Sequence, residues 1–136
     1  MDAPTPGAWL RAGISRDGGP LLETGHVVWI QSGAFYADSR GFAGTTAYDG
    51  EQVTFHHDVG EPGHDVGTLR AEGTRMVESG TNPDGSTFLE VWTPLPGAAG
   101  PDGSWTAAGT QTVRAGRHVV HVDADGLGTH FVLAED

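Results

Sequence analysis

Gly44-Thr45-Thr46-Ala47-Tyr48-Asp49-Gly50-Glu51-Gln52-Val53-Thr54-Phe55-His56-His57-Asp58 reads as a β-hairpin. Asp49-Gly50 is a preferred pair for a type I′ turn, whose two central residues both need positive φ. The flanks are rich in threonine, valine and aromatic residues, which suit a pleated surface. Working outward, Glu72-Gly73-Thr74, Ala115-Gly116 and Asp125-Gly126 repeat the punctuation. With 22 glycines and 8 prolines in 136 residues, no helical periodicity persists long enough to predict a helix.

The runs between the breaks have strand chemistry. Strands are expected at Ala8–Ile14, His26–Gln31, Phe35–Arg40, Gly44–Tyr48, Gln52–Asp58, Asp65–Ala71, Arg75–Ser79, Thr87–Trp92, Thr110–Ala115, Arg117–Asp123 and Gly128–Leu133. Gly80–Ser86 reads as a surface turn, and Leu95–Ser104 as the longest irregular connection, a lid or a barrel corner. Short strands with tight turns indicate a sandwich or a barrel, and sequential hairpins favour an up-and-down meander over a Greek key. No repeat or linker divides the chain, so one domain is expected over residues 1–136.

The strand faces decide between sandwich and barrel. Tyr36, Asp38 and Arg40 share one face, and Phe35, Ala37 and Ser39 the other. Phe55 and His57 oppose Thr54, His56 and Asp58, while Phe88, Glu90 and Trp92 oppose Leu89 and Val91. A one-sided sheet alternates cleanly between apolar and polar residues. Here aromatic and charged residues share faces, as expected of a barrel around a partly polar cavity. The fold expected is a single antiparallel up-and-down barrel of the lipocalin or calycin kind.

Composition excludes several functions. The absence of cysteine removes disulfides, thiolate nucleophiles and iron–sulfur ligation, and fits a reducing cytoplasm. The formal charge of −11, with no lysine, argues against nucleic acid or an anionic membrane as partner. Met1-Asp2-Ala3-Pro4-Thr5-Pro6 lacks the basic and apolar regions of a signal peptide, and none is expected. No apolar run approaches the ~20 residues of a membrane helix. Abundant Gly, Ala, Arg and Asp without lysine resembles high-GC bacterial coding.

Val28-Trp29-Ile30-Gln31-Ser32-Gly33-Ala34-Phe35-Tyr36-Ala37-Asp38-Ser39-Arg40, then Gly41-Phe42-Ala43-Gly44, resembles a WLQTxSxYADxRxP…FAG block of small bacterial barrel proteins. Phe55-His56-His57, Asp65–Gly73, Glu78-Ser79-Gly80 and Leu89-Glu90-Val91-Trp92 follow in that family's order. The resemblance runs from Trp9 to Trp92 and more weakly through Arg117–Phe131. The family is similar to a yeast two-barrel protein that binds a casein kinase I, which implies a lipocalin-like fold but assigns no activity. Ser39 in place of a larger apolar residue, Gly41 in place of proline and Phe55 in place of tryptophan imply a reshaped pocket. A second, shorter resemblance, Gly7-Ala8-Trp9 with His130 near the end, is to nitrobindin-type barrels and implies haem ligation by His130.

The histidine spacing does not favour a metal. His56 and His57 are adjacent, and His118 and His121 are three apart, so each pair points to opposite strand faces. His57, His64 and Asp65 could converge only through the Gly60–Gly63 loop. No G-x-S-x-G elbow, G-x-G-x-x-G or Walker sequence is present, so no metal, nucleotide or other cofactor is expected.

The candidate chemistry is a polar cluster inside the barrel. Asp38 and Glu90 are the candidate bases, and Tyr36, His56 and Arg40 the candidate donors to an oxyanion or enolate. Trp29, Gln31, Arg70, Trp92 and His118 are the candidate ligand-binding residues. The same Asp–Arg–Tyr set would serve equally as a satisfied buried network that sets strand register. The expected function is therefore small-molecule binding in the cavity by a monomer or homodimer. It takes the form of a cofactor-free cyclase, isomerase or lyase of bacterial specialised metabolism. A non-catalytic carrier or interaction barrel is the alternative.

Overall fold

Twelve strands occupy the computed structural model, which describes residues 7–22, 25–60 and 62–134. Residues 1–6, on which the expectation of no signal peptide rests, lie outside the described residues. The first eight strands are β1 (Gly7–Arg16), β2 (Val28–Ser32), β3 (Phe35–Asp38), β4 (Phe42–Asp49), β5 (Gln52–Val59), β6 (Gly63–Glu72), β7 (Arg75–Thr81) and β8 (Thr87–Pro94). Each pairs antiparallel with the next, and β8 returns to pair with β1, so the eight close into a barrel. This is the up-and-down, lipocalin-like barrel that the hairpin pattern predicts.

The meander does not simply continue. β9 (Asp102–Ala107), β10 (Thr110–Ala115), β11 (His118–Val122) and β12 (Gly128–Val132) form a separate four-stranded sheet in the order β12-β11-β10-β9. β9 lies partly inside the stretch expected to be irregular. Its Asp-Gly-Ser start has little strand propensity, and pairing with β10 organises it. The rest of that stretch is a corner between barrel and sheet, not a lid. Leu95 N–H donates to Ala8 O, and the carbonyls of Gly97 and Pro101 accept from Arg117 and Gly116 N–H.

The second sheet packs on the outer wall of the barrel at β2 and β3. Ala8, Val28, Ile30, Ala37 and Ala43 from the barrel meet Val113, Ala115, Val120 and Val122 from the sheet. Alanines on the barrel side let the two backbones approach closely. Gly41 shows how closely: a Cβ there would sit 1.9 Å from Gly126 O, and its φ of +113° is open only to glycine. Glycine at this position therefore serves sheet docking. Ser32 Oγ donates to Asp102 Oδ2 (2.6 Å), and Gln111 Nε2 donates to the carbonyls of Tyr36 and Gly44 (2.9 Å each).

β2 is thus buried on both faces. Val28 and Ile30 belong to the core between the sheets, whereas Trp29 belongs to the barrel interior. In that interior the aromatic rings meet edge-on. Trp29 lies 5.5 Å from Phe55 and 5.6 Å from Trp92, and Tyr36 lies 5.0 Å from Phe55. This arrangement suits the ring quadrupoles. No helix occurs among the described residues, and so none is long and apolar enough to cross a membrane.

Candidate functional site

One end of the barrel is packed shut and the other is open. At the packed end Gln31 is enclosed. Its Oε1 accepts from Trp29 Nε1 and Thr46 Oγ1 (3.1 Å each), and its Nε2 donates to Gly33 O (2.8 Å). With both ends of the amide engaged, Gln31 braces the barrel and is not among the cavity residues. Toward the open end lies a cavity of ≈ 270 Å³. Trp29, Tyr36, Phe55, Phe88 and Trp92 supply much of its wall, and Asp38, Arg40, Glu78 and Glu90 its polar face. Arg16, Asp65 and Asn82 stand at strand ends around the mouth.

The cavity wall comes from inward-facing parity. Tyr36 and Asp38 alternate with Ala37, which faces the second sheet. Phe88, Glu90 and Trp92 alternate along β8 as the sequence suggests. β3 ends at Asp38, so Arg40 lies in the turn and not on the strand. Its side chain folds back instead. Asp38 Oδ1 accepts the Arg40 backbone N–H (2.8 Å) and Nε–H (3.0 Å), and Oδ2 accepts Nη2–H (2.8 Å). Both Asp38 oxygens are thereby committed to Arg40, which makes Asp38 the anchor of the guanidinium. Burial opposes the Arg40 charge, but Asp38, then Glu90 and Glu78, outweigh it and hold the group firmly protonated. Arg40 also lies over the Phe42 ring at 5.0 Å.

Glu90 is held by two arginines. Its Oε2 accepts from Arg11 Nη1 (2.7 Å) and Arg40 Nη1 (3.4 Å). Arg11 precedes a β-bulge, where the register skips from Arg11↔Trp92 to Gly13↔Val91. The bulge offsets strand parity, so that Ile14 and Arg16 line the cavity on the same strand whose Arg11 reaches Glu90.

Directly opposite Glu90 in the β7–β8 ladder stands Glu78, and both are buried. Three carboxyl groups face two guanidiniums here, and of these three Glu78 has no ion-pair partner among the described residues. Burial first, and then the Glu90 carboxylate, push the Glu78 pKa up to about 8 against the pull of Arg40; Asp38 adds to the rise. Trp92 favours the Glu78 carboxylate weakly, from a geometry that closes no hydrogen bond. Gly67 on β6 leaves room for this side chain, since a Cβ there would stand 3.3 Å from Glu78 Oε2.

Sequence reasoning missed Glu78 and Arg11. The sequence placed Glu78 on the predicted strand Arg75–Ser79, on the same face as Met76, without marking it as a cavity residue. Its facing Glu90 depends on the register across the 82–86 turn, which spacing alone does not set.

Besides Gln31, three expected site residues lie outside the cavity. His56 is on the exposed outer face of β5, its ring 6.0 Å from that of His64, because Val53 and Phe55 take the inward parity. Arg70 is exposed and pairs with Glu72 at 2.9 Å. His118 is buried in the second sheet and reaches Pro96 O through Nε2 (2.7 Å). His57 and Asp65 do meet, at 2.9 Å, but through strand pairing of β5 with β6 and not through the loop.

His118 begins a chain of three stacked imidazoles. Its Nδ1 lies 3.0 Å from His130 Nε2, and His130 Nδ1 lies 3.1 Å from His26 Nε2. Burial, and then His118 and His26, lower the His130 pKa to about 4. Both His130 nitrogens are engaged, and His130 is not among the cavity residues. This place does not fit a haem ligand. Among the described residues no three His, Asp or Glu side chains converge as a metal-binding group.

Comparison with protein families, with curated proteins and with solved structures found no match. Fold and site together define a closed eight-stranded β-barrel with a small aromatic cavity, consistent with binding of a small molecule.

Proposed function

We propose that the cavity binds a small molecule and performs acid/base chemistry on it, of the cyclase, isomerase or lyase type, without a bound cofactor. The carrying observation is the Glu78–Glu90 pair: one carboxyl held by two arginines, the other unpaired and with a pKa pushed up to about 8. A group that titrates near neutrality gives and takes protons efficiently. Glu78 is the proton carrier in this reading. Arg40, fixed by Asp38, and the Tyr36 hydroxyl stabilise developing negative charge on oxygen. Burial, and then the carboxylates of Asp38, Asp65 and Asp58, raise the Tyr36 pKa and keep its phenol a donor.

The proposal includes a bacterial, cytoplasmic setting in specialised metabolism, supported by the lysine-free and cysteine-free composition. It includes kinship with the lipocalin-like family, whose implied fold is the barrel seen here. Ring opening of 5-nitrobenzisoxazole tests the chemistry, because it needs only a positioned base. The base takes the ring C–H proton, the N–O bond breaks, and a cyanophenolate forms. The protein is expected to exceed acetate at equal concentration by ~10²-fold or more, with a rate rising through pH about 8. Glu78→Gln should abolish the excess while remaining folded. A rate that survives in Glu78→Gln sinks Glu78 as base, and no excess at all leaves a non-catalytic carrier.

A further inference from the structure

Of the seven histidines in the chain, five have a ring nitrogen engaged. His57 meets Asp65, and His121 Nδ1 meets Thr112 Oγ1 at 2.7 Å. His26, His130 and His118 form the imidazole chain that ends on Pro96 O. The other two, His56 and His64, have no hydrogen-bond or ion-pair partner among the described residues. These same two stand directly opposite one another in the β5–β6 ladder. Both are exposed on the outside of the barrel, their ring centroids 6.0 Å apart and their planes at 41°.

Such a pair is built to chelate. Directly opposite residues of an antiparallel pair share a face, with Cβ atoms about 4.5–5.5 Å apart. A tetrahedral ion bound at about 2.0–2.1 Å holds its ligand nitrogens roughly 3.3 Å from each other. The exposed rings can turn into that geometry without giving up a hydrogen bond. The paired strands beneath fix both side chains on one scaffold, so the second imidazole reaches the ion at high effective concentration. Neutral imidazole suits zinc, copper and nickel, whereas calcium and magnesium prefer oxygen. The formal charge of −11 draws cations to the surface. Along the chain His56 and His57 diverge to opposite faces; the partner of His56 lies across the ladder, where spacing does not reveal it.

We propose that His56 and His64 form a bidentate surface site for one divalent transition-metal ion of the zinc or copper(II) kind, with water completing the coordination. The ion clips β5 to β6 on the outside of the barrel. It lies behind Asp65, the neighbour of His64 that faces the other way and lines the cavity mouth. It takes no part in the chemistry proposed within the cavity.

Equilibrium dialysis and thermal unfolding of the untagged full chain test the site, with zinc chloride and copper(II) chloride as probes and magnesium chloride as control. One zinc or copper ion per chain is expected, and no magnesium, with a melting temperature that rises with free zinc. His56→Asn and His64→Asn change exposed side chains, and each should weaken zinc binding about tenfold or more. The double variant should lose little beyond either single change, because the first substitution already ends the chelate. His121→Asn, on the second sheet, should bind zinc as the unsubstituted chain does. In the ¹H–¹⁵N imidazole spectrum, zinc should shift the ring nitrogens of His56 and His64 together. An affinity no greater than that of free imidazole, one ion shared between two chains, an equal loss in His121→Asn, or additive losses from His56 and His64 overturns the assignment.

Discussion

The molecule has two interiors, built on opposite faces of the same strands. Between barrel and second sheet, Val28, Ile30 and Ala37 meet Val113, Val120 and Val122 in a mainly apolar layer whose buried Gln111 amide is hydrogen-bonded to barrel carbonyls. Inside the barrel, Trp29, Tyr36 and Asp38 face Glu78, Glu90 and Arg40 around empty space. The first interior is close-packed and contributes stability. The second retains a cavity, a carboxyl with no ion-pair partner among the described residues, and buried donors without a hydrogen-bond partner, such as the Tyr36 hydroxyl and Trp92 Nε1. Burying polar groups costs free energy unless they are satisfied, so the second interior is held in place by the packing around it. Stability and candidate chemistry are separated by a single strand thickness.

The largest test of this division is Ile30→Ala, which opens a hole in the dry layer. A loss of about 2–5 kcal/mol is expected by urea unfolding, with the benzisoxazole rate per folded molecule unchanged. A rate that falls in step with stability breaks the division.

Asp38→Asn comes next. Arg40 is 36 % exposed, so the loss should be roughly 1–3 kcal/mol, less than the ~3–5 of a fully buried broken pair. A drop in rate of ~10²-fold or more at an unchanged melting temperature would instead restore Asp38 as a base.

Glu78→Gln sharpens the comparison through pH. The folded pKa of about 8 lies above the unfolded value of 4.5. The folded state therefore binds its proton more tightly, and stability falls as pH rises from 4.5 to about 8. Glu78→Gln should remove that fall. At pH 9 it should melt ~4 °C or more above the unsubstituted protein, which corresponds to about 1 kcal/mol or more. An unchanged pH profile would mean that Glu78 is not a strained carboxyl.

The smallest effect belongs to the second sheet and has the opposite sign. His130 is depressed from 6.5 to about 4, so its contribution is present above pH 6.5 and lost as pH falls toward 4. The group is only partly buried, and screening should hold the effect under about 1 kcal/mol. His130→Asn should flatten the acid limb of the melting curve between pH 6.5 and 4 and leave the alkaline limb as it was. A change in both limbs would show that the two interiors titrate as one.

What the chain determines by itself is local. Glycine-bearing turns such as Asp49-Gly50 and runs such as Gln52–Asp58 mark eleven of the twelve strands to within a few residues, because turn chemistry and strand propensity act between neighbours. Tyr36, Asp38, Glu90 and Trp92 were legible as sharing faces by alternation along their strands, and Trp29 as a pocket-wall residue by its aromatic character. The mixed character of β2 and β3 was legible too, but not its source. Both faces there are interior, because a second sheet covers the outside. Only the tertiary structure decided that β8 closes on β1, that β9 to β12 fold back over β2 and β3, and that His56, Arg70 and His118 lie away from the cavity. It alone set Glu78 opposite Glu90 and brought Arg11 to them past a bulge. The reason is physical. Alternation assigns a residue to a face, whereas register, bulges and closure decide which faces meet, and those depend on contacts between residues far apart in the chain.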